Sequence, residues 1–505
     1  MMASLCIFSM VLSLCGFGWI VTEEFRCGEM IMIDAVIGFL NTLFWSYILV
    51  YGLLAVGVFF TLRLGFIQFF QFGEMFRVVF AARRKDGAGI SPFQALSVSL
   101  ASRVGVGNLA GVAVALHLGG AGAIFWMWLM ALFGMATAYA ESTLGQLYKT
   151  TNHDGRYRGG PAFYIGRGLK APWAGVLFSL ALILSFGLVF NAVQANAIAG
   201  AMNFAFDVPL WATGLVVAAC AGVVIFGGIR QVAKVAALVV PVMSFFYVLL
   251  VLVILVMNIT AVPDMLKLIV LSAFGLQEAA GGIMGGLTAA MLNGVKRGMF
   301  SNEAGMGSVP NIAACATPSP HHPASQGFVQ ALGVFLDTIV ICTATAVMIL
   351  LSGIFLEPGA DLKGIEITQM ALAAHVGAIG NYFVAVAILF FAFTSIIGNY
   401  TYAENALTYI GCAGRTGVML LRAGLVLMVF WGAQQTVQRV FDAADASMGL
   451  MATINLVAIV LLSGTVVKLT RDYLRQKKEG GDPCFDLGDY PELEDRIDTE
   501  VWTKR

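Results

Sequence analysis

Long apolar stretches alternate with short polar ones along almost the whole chain. Apolar runs of roughly 20 residues, the length that crosses about 30 Å of hydrocarbon as a helix, are predicted at 35–61, 92–117, 121–148, 173–202, 209–228, 236–258, 272–294, 327–353, 380–410, 414–434 and 443–467. They are continuously apolar, whereas the strands of a membrane barrel alternate in polarity. The expected fold is an all-α polytopic membrane protein of about 11 transmembrane helices.

The polar segments alternate in charge. The first set carries Arg63, Arg77, Arg83, Arg84 and Lys85, then Lys149, Arg156, Arg158, Arg167 and Lys170, then Arg230 with Lys234, Lys296 with Arg297, and a tail holding Lys468, Arg471, Arg475, Lys477 and Lys478. The intervening loops are poor in base, and the one around Glu357, Asp361 and Glu366 is acidic. Basic loops stay in the cytoplasm, so the C-terminal tail is expected there. From Gly480 onward that tail is polar and short, and reads as a loosely ordered extension.

Composition narrows the class. Of 505 residues, 59% are hydrophobic and 11% charged, against roughly 25% charged in soluble domains. The lipid bilayer is thus the expected surrounding. Zero net charge removes the electrostatic case for nucleic acid as a partner. The eight cysteines are scattered without a C-x-x-C pair, which suggests neither a metal site nor a disulfide framework. Residues 1–30 fit three readings: a signal peptide, a short membrane helix, or a start codon upstream of the working one at Met30 or Met32. They lack the basic n-region and the A-x-A site of a secretory signal.

Two apolar runs contain glycine clusters. The first holds Gly105, Gly107 and Gly111 beside Arg103 and Asn108; the second holds Gly281, Gly282, Gly285 and Gly286. Glycine costs about 1 kcal/mol in a helix interior, so both helices are expected to be interrupted. The second comes five spans after the first, which matches an inverted-repeat transporter whose broken helices meet near the bilayer midplane. There, unwound N–H groups suit a carboxylate and freed carbonyls suit a cation. G-x-x-x-G spacing also serves close helix packing alone.

The stretches "SPFQALSVSLASRVGVGNLAGVAVAL", "GAGAIFWMWLMALFGMATAYAE", "GGPAFYI", "FSNEAGMGSVPNIAA" and "FAFTSIIGNYTYAEN" resemble the alanine/glycine:cation symporter family, also called sodium:alanine symporters. The likeness runs from about residue 33 to the tail, and excludes the first thirty residues. It implies a LeuT-type core of ten helices, 5+5 inverted, with one extra helix in front. The division would be 1–30 (uncertain hydrophobic segment), 31–91 (extra helix and loop), 92–260 and 261–470 (the two repeats) and 471–505 (tail). It also implies a secondary active transporter in the bacterial inner membrane. Its substrate would be a small neutral amino acid such as alanine or glycine, with sodium, or in some members a proton, as the coupling ion.

Under that resemblance, the hydroxyls of Thr394 and Ser395, with carbonyls of Ala101 and Val104 on the unwound first helix, would hold sodium. Read without it, such hydroxyls often bond their own preceding turn. Gly105, Val106, Gly107, Asn108, Gln194, Gly281, Gly282 and Asn399 would line the substrate. Gln194, Asn191 and Asn196 serve equally as polar glue between helices. Where the common family form has tryptophan near "GNY" this chain has Asn399, which leaves room for a larger or more polar amino acid. Intramembrane acids are functional candidates: Asp337 as a proton carrier or partner of a base, Glu141 as a structural group. Asn302 and Glu303 belong to a gate or a rigid turn. His321 and His322 read as a turn. Arg103 has three candidate roles: a carboxylate clamp, an ion-pair partner for an acid such as Asp337, or a fixed charge replacing a second cation. Its length and the supply of glycine N–H groups favour the latter two.

Two other classes compete. An intramembrane enzyme such as a protease needs a nucleophile or metal signature, and the chain has no H-E-x-x-H, G-x-S-x-G or Walker A motif. A channel usually builds its pore from several chains, and an internal inverted repeat suits alternating access better. A proton-coupled carrier of a larger amino acid remains the nearest alternative, and oligomeric state is not legible.

Overall fold

The computed structural model describes residues 34–80, 89–152, 155–276, 283–354 and 364–503. Its helices, in chain order, are α1 (Asp34–Arg63), α2 (Phe72–Phe80), α3 (Pro92–Arg103), α4 (Gly107–Gly119), α5 (Gly122–Leu147), α6 (Pro172–Phe206), α7 (Leu210–Phe226), α8 (Gly228–Met257), α9 (Val262–Ala273) and α10 (Ile283–Asn302). They continue as α11 (Pro310–Ala314), α12 (Pro323–Ser352), α13 (Ile365–Val376), α14 (Ile379–Tyr409), α15 (Arg415–Gly432), α16 (Val437–Leu461) and α17 (Ser463–Lys478).

Among the described residues, 8 helices are long and apolar enough to cross a membrane, and the α3–α4 pair, bent by 52°, makes a ninth. The chain is a multi-pass membrane protein. The expectation of 11 spans departs from this at two places. The run at 209–228 is the shorter helix α7. The run at 272–294 is not one helix: α9 ends at Ala273, and α10 begins at Ile283 and continues to Asn302. Gly281 and Gly282 lie outside the described residues.

The centre is built around α5, which packs along α10 and α12. Glycines allow this closeness: a Cβ on Gly294 would lie 2.4 Å from the Ala123 carbonyl oxygen. Against this core lie the α3–α4 pair, α6 and α14. Wide π turns occur at Gly107–Gly111, Ile183–Val189 and Phe335–Cys342. Such turns redirect side chains and backbone carbonyls and often sit at functional sites.

The tail is not loose. Phe485, Tyr490, Leu493, Ile497, Val501 and Trp502 are buried against the end of the molecule that carries the basic loops. Trp502 Nε1 donates to the Leu147 carbonyl at 3.1 Å, and the Phe485 N–H donates to the His321 carbonyl at 2.9 Å. The apolar residues are dispersed among acids, so the segment reads as solvated until a surface exists to receive them.

Candidate functional site

Helix α3 starts at a capping box, Ser91 with Gln94, followed by Pro92 at its first position. This is a stable start, yet the helix ends after 12 residues. At Val104 the backbone turns extended (ψ 91°). The Gly105 N–H then bonds Asn108 Oδ1 at 2.9 Å, and the Val106 N–H bonds Gln194 Oε1 at 3.1 Å. A continuous helix would have given these amides to the carbonyls of Ala101 and Ser102. Gly105 is required by a close approach: a Cβ there would fall 2.3 Å from Ser395 Oγ and 2.8 Å from Gln194 Oε1.

A second break lies beyond the glycine cluster of 281–286, of which Gly281 and Gly282 are outside the described residues. Helix α10 ends at Asn302, whose Oδ1 accepts the Ala304 N–H at 3.0 Å. Glu303, Gly305 and Gly307 have positive φ of 58°, 85° and 78°. Non-helical chain continues to Val309, where α11 begins with Pro310. Glu141 and Asn455 brace this turn: the Gly305 N–H donates to Glu141 Oε1 at 3.3 Å, and Asn455 Nδ2 donates to Glu141 Oε2 at 2.7 Å and to the Gly305 carbonyl at 2.9 Å. Tyr164 OH in turn donates to Asn455 Oδ1. Glu141 thus has the structural geometry expected of it.

The two breaks meet. Ser102 Oγ lies 2.8 Å from Glu303 Oε1 and 2.6 Å from Asn399 Oδ1. Asn399 Nδ2 donates to Asn191 Oδ1 at 3.1 Å, and Asn191 Nδ2 donates to the carbonyls of Phe186 and Gly187 at 2.8 and 3.0 Å. Ser308 Oγ donates to Glu303 Oε2 at 2.5 Å. On the other side, Asp337 Oδ1 accepts from Asn108 Nδ2 at 2.7 Å, and its Oδ2 accepts from Ser301 and Thr338 at 2.7 and 2.8 Å. All of these side chains are buried.

Six of the expected site residues therefore converge on one seam: Gly105, Val106, Asn108, Gln194, Ser395 and Asn399. Gly107 opens α4 and packs against Ser301, where a Cβ would lie 2.9 Å from the Ser301 Cα. Ala101 and Val104 are buried at the end of α3. Thr394 and Ser395 both donate to the Phe391 carbonyl, at 2.9 and 3.1 Å, which leaves their oxygen lone pairs as acceptors. Asn196 is turned elsewhere, to the carbonyls of Gly432 and Gln435 at 3.1 and 2.6 Å; it joins helices.

Arg103 is buried at the end of α3 and reaches α12. Its Nη1 donates to the Gln330 carbonyl on α12 at 3.2 Å, in space left by Gly333, while Nε and Nη2 have no protein partner. It forms no ion pair with Asp337, although its charge acts on Asp337, Glu303 and Glu141. Sequence reasoning passes over Ser102 and Ser301, because a serine in an apolar helix usually bonds its own backbone. The only local signal is their position beside the breaks.

The sequence model of the sodium:alanine symporter family matches residues 30–487. The amino-acid carrier protein AlsT of Bacillus subtilis is 46% identical over 93% of this chain and 97% of its own. The same organism's protein named probable sodium/glutamine symporter GlnT is 46% identical, over 90% and 93%. A protein of Bacillus sp. strain PS3 named sodium/proton-dependent alanine carrier is 38% identical, over 82% and 95%.

Proposed function

The chain belongs to the sodium:alanine symporter family, and from that premise we propose that it moves a small neutral amino acid across the membrane with sodium by alternating access. That it is a transporter and not an enzyme follows from the family itself. The observation that carries the finer reading is the meeting of two helix breaks, one of them bordered by Ser395 and Gln194.

In this reading residues 92–260 and 261–470 form the inverted 5+5 pair of a LeuT-type core, and the molecule sits in the bacterial inner membrane with its tail in the cytoplasm. Sodium is held by the hydroxyl oxygens of Thr394 and Ser395 and by carbonyls of Ala101 and Val104. The donor set fits: the Ser395 hydroxyl, with free lone pairs, lies against Gly105, whose N–H has turned to Asn108, and Thr394 offers a second such hydroxyl. Hard cations of this kind take oxygen ligands.

The amino acid sits at Gly105, Val106, Gly107 and Asn108, with Gln194 and Asn399 beside it. Gln194 Oε1 and Asn108 Oδ1 cover two of these amides, so an entering carboxylate displaces them. Relatives named for alanine and for glutamine frame the substrate range, and Asn399 in place of an aromatic ring favours tolerance of more than alanine and glycine.

Counterflow of labelled alanine, glycine and glutamine in liposomes, with and without a sodium gradient, tests the reading. Each sodium entering gains about 2.3 kcal/mol per 100 mV of potential, so uptake should rise steeply with an inside-negative potential. Ser395→Ala should weaken the sodium response before it weakens exchange of bound substrate. An unchanged sodium response in Ser395→Ala and Thr394→Ala would remove the proposed ion site.

A further inference from the structure

The hydrogen bonds at the seam have a direction, and it can be followed from a fixed end. The carbonyls of Phe186 and Gly187 can only accept, so the Asn191 group that meets them is its amide nitrogen. Asn191 then presents Oδ1 to Asn399, whose facing group must be Nδ2, at 3.1 Å. That leaves Asn399 Oδ1 toward Ser102, 2.6 Å from its hydroxyl. Flipping either amide would set carbonyl oxygens against each other. The single Ser102 proton is thereby committed to Asn399. Ser102 Oγ still lies 2.8 Å from Glu303 Oε1, and two oxygens at that distance need a proton between them. With the Ser102 proton engaged, it has to come from Glu303.

We propose that Glu303 is a proton-binding site, separate from the sodium ligands, whose protonated form completes the chain Glu303–Ser102–Asn399–Asn191. The proposal deepens the transport reading above and rests on it where it links the proton to the amino acid. A proton from bulk water adds to Oε1, the acid O–H donates to Ser102, and Oε2 keeps accepting from Ser308. When the proton leaves, a carboxylate attracts the Ser102 hydroxyl and Asn399 Oδ1 loses its donor. Asn399 borders the proposed substrate position, so protonation and substrate binding are coupled reciprocally.

The surroundings agree. Asp337, the other buried acid of the seam, has three donors and no competing acceptor on its own oxygens, which suits an ionised carboxylate. The charged groups whose field reaches Glu303 are Arg103 and Asp337. Glu141 shares the field of Arg103 and holds the same turn through Gly305. The Tyr402 hydroxyl is fully buried and interacts with both Ser102 and Glu303. It is a donor within reach when Glu303 gives up its proton.

Infrared titration of the purified full chain tests this without any ligand. The expected result is a protonated-carboxyl absorption that disappears on raising the pH and is lost in Glu303→Gln. If that variant does not fold, 13C-glutamate labelling of the parent and of Glu141→Gln assigns the band; one unmoved by the label overturns the proposal, as does one that survives in Glu303→Gln. Adding alanine in sodium should shift the midpoint by about one pH unit, equivalent to about a tenfold change in amino-acid affinity. A band lost in Glu303→Gln but unaffected by alanine, glycine or glutamine upholds the proton site and counts against the amino-acid reading. Alanine binding with no titrating band overturns the proton site alone.

Discussion

Two polar regions of this molecule are built in opposite ways. At the end that carries the basic loops, acids meet cations. Glu74 takes Arg77 at 2.8 Å, Lys477 at 2.7 Å and the Tyr473 hydroxyl at 2.6 Å. Burial alone would raise its carboxyl, but these three partners hold it below the ordinary range. Asp472 is likewise opposed by burial, yet His322, Gln476 and Arg475 bring it down to about 2. At the seam between the helix breaks, Asp337 has only neutral donors, Glu303 has two hydroxyls, and Arg103 has one carbonyl. The first region has its charges neutralised within the fold. The second leaves its acids without a paired cation and Arg103 Nε and Nη2 without a partner, which is the condition the proposed coupled site would use.

The comparison is broken most severely by removing Asp337. In Asp337→Ala three buried donors lose their acceptor, at about 1–3 kcal/mol each. A loss of about 3–5 kcal/mol is expected, seen as a large fall in thermal stability in detergent and in folded yield. A variant as stable as the parent would mean the seam does not depend on that charge. Trp502→Ala should cost about 3 kcal/mol by exposing a cavity, and the effect should be local. Residues 484–503 should become open to protease while helices α3 and α14 keep their hydrogen-exchange protection. Uniform loss of protection would show that the two regions are not separable.

Acid should strike the tail end first. His322 Nδ1 accepts the Ala324 N–H at 3.1 Å, so Nε2 carries the hydrogen that faces Asp472, 3.4 Å away. Burial lowers the imidazole below its ordinary 6.5, with Asp472 opposing. The unfolded chain therefore binds a proton here more readily than the folded one. The His322 contribution is complete above pH 6.5 and fades as the pH falls through that value; that of Asp472 fades only below 3.8, toward about 2. Protease release of the tail between pH 7 and 5 should accelerate, and His322→Gln should abolish most of that acceleration. An acceleration unchanged in His322→Gln would assign it to another group. The smallest effect belongs to the exposed Lys468–Glu492 pair: Lys468→Ala should change stability by about 0.5 kcal/mol or less, and a larger change in melting temperature would mean that surface pairs matter to the tail.

Much of this molecule is local information. Most apolar runs located the membrane helices closely, the one at 272–294 excepted, because burial in hydrocarbon is decided residue by residue along a helix. The break at Gly105 was legible for the same reason: glycine in an apolar helix has a cost that some close approach must justify, and Ser395 supplies it. The second break was legible only as a motif. Its place at Glu303–Val309 depends on Glu141 and Asn455, residues more than 100 positions away. The same holds for Ser102, whose partners are 201 and 297 positions distant, and for the tail, whose dispersed apolar residues have no face until the helices they cover are assembled. A side chain's type states which hydrogen bonds it can make; only the packing of distant helices decides which partner it meets, and so which oxygen is left needing a proton.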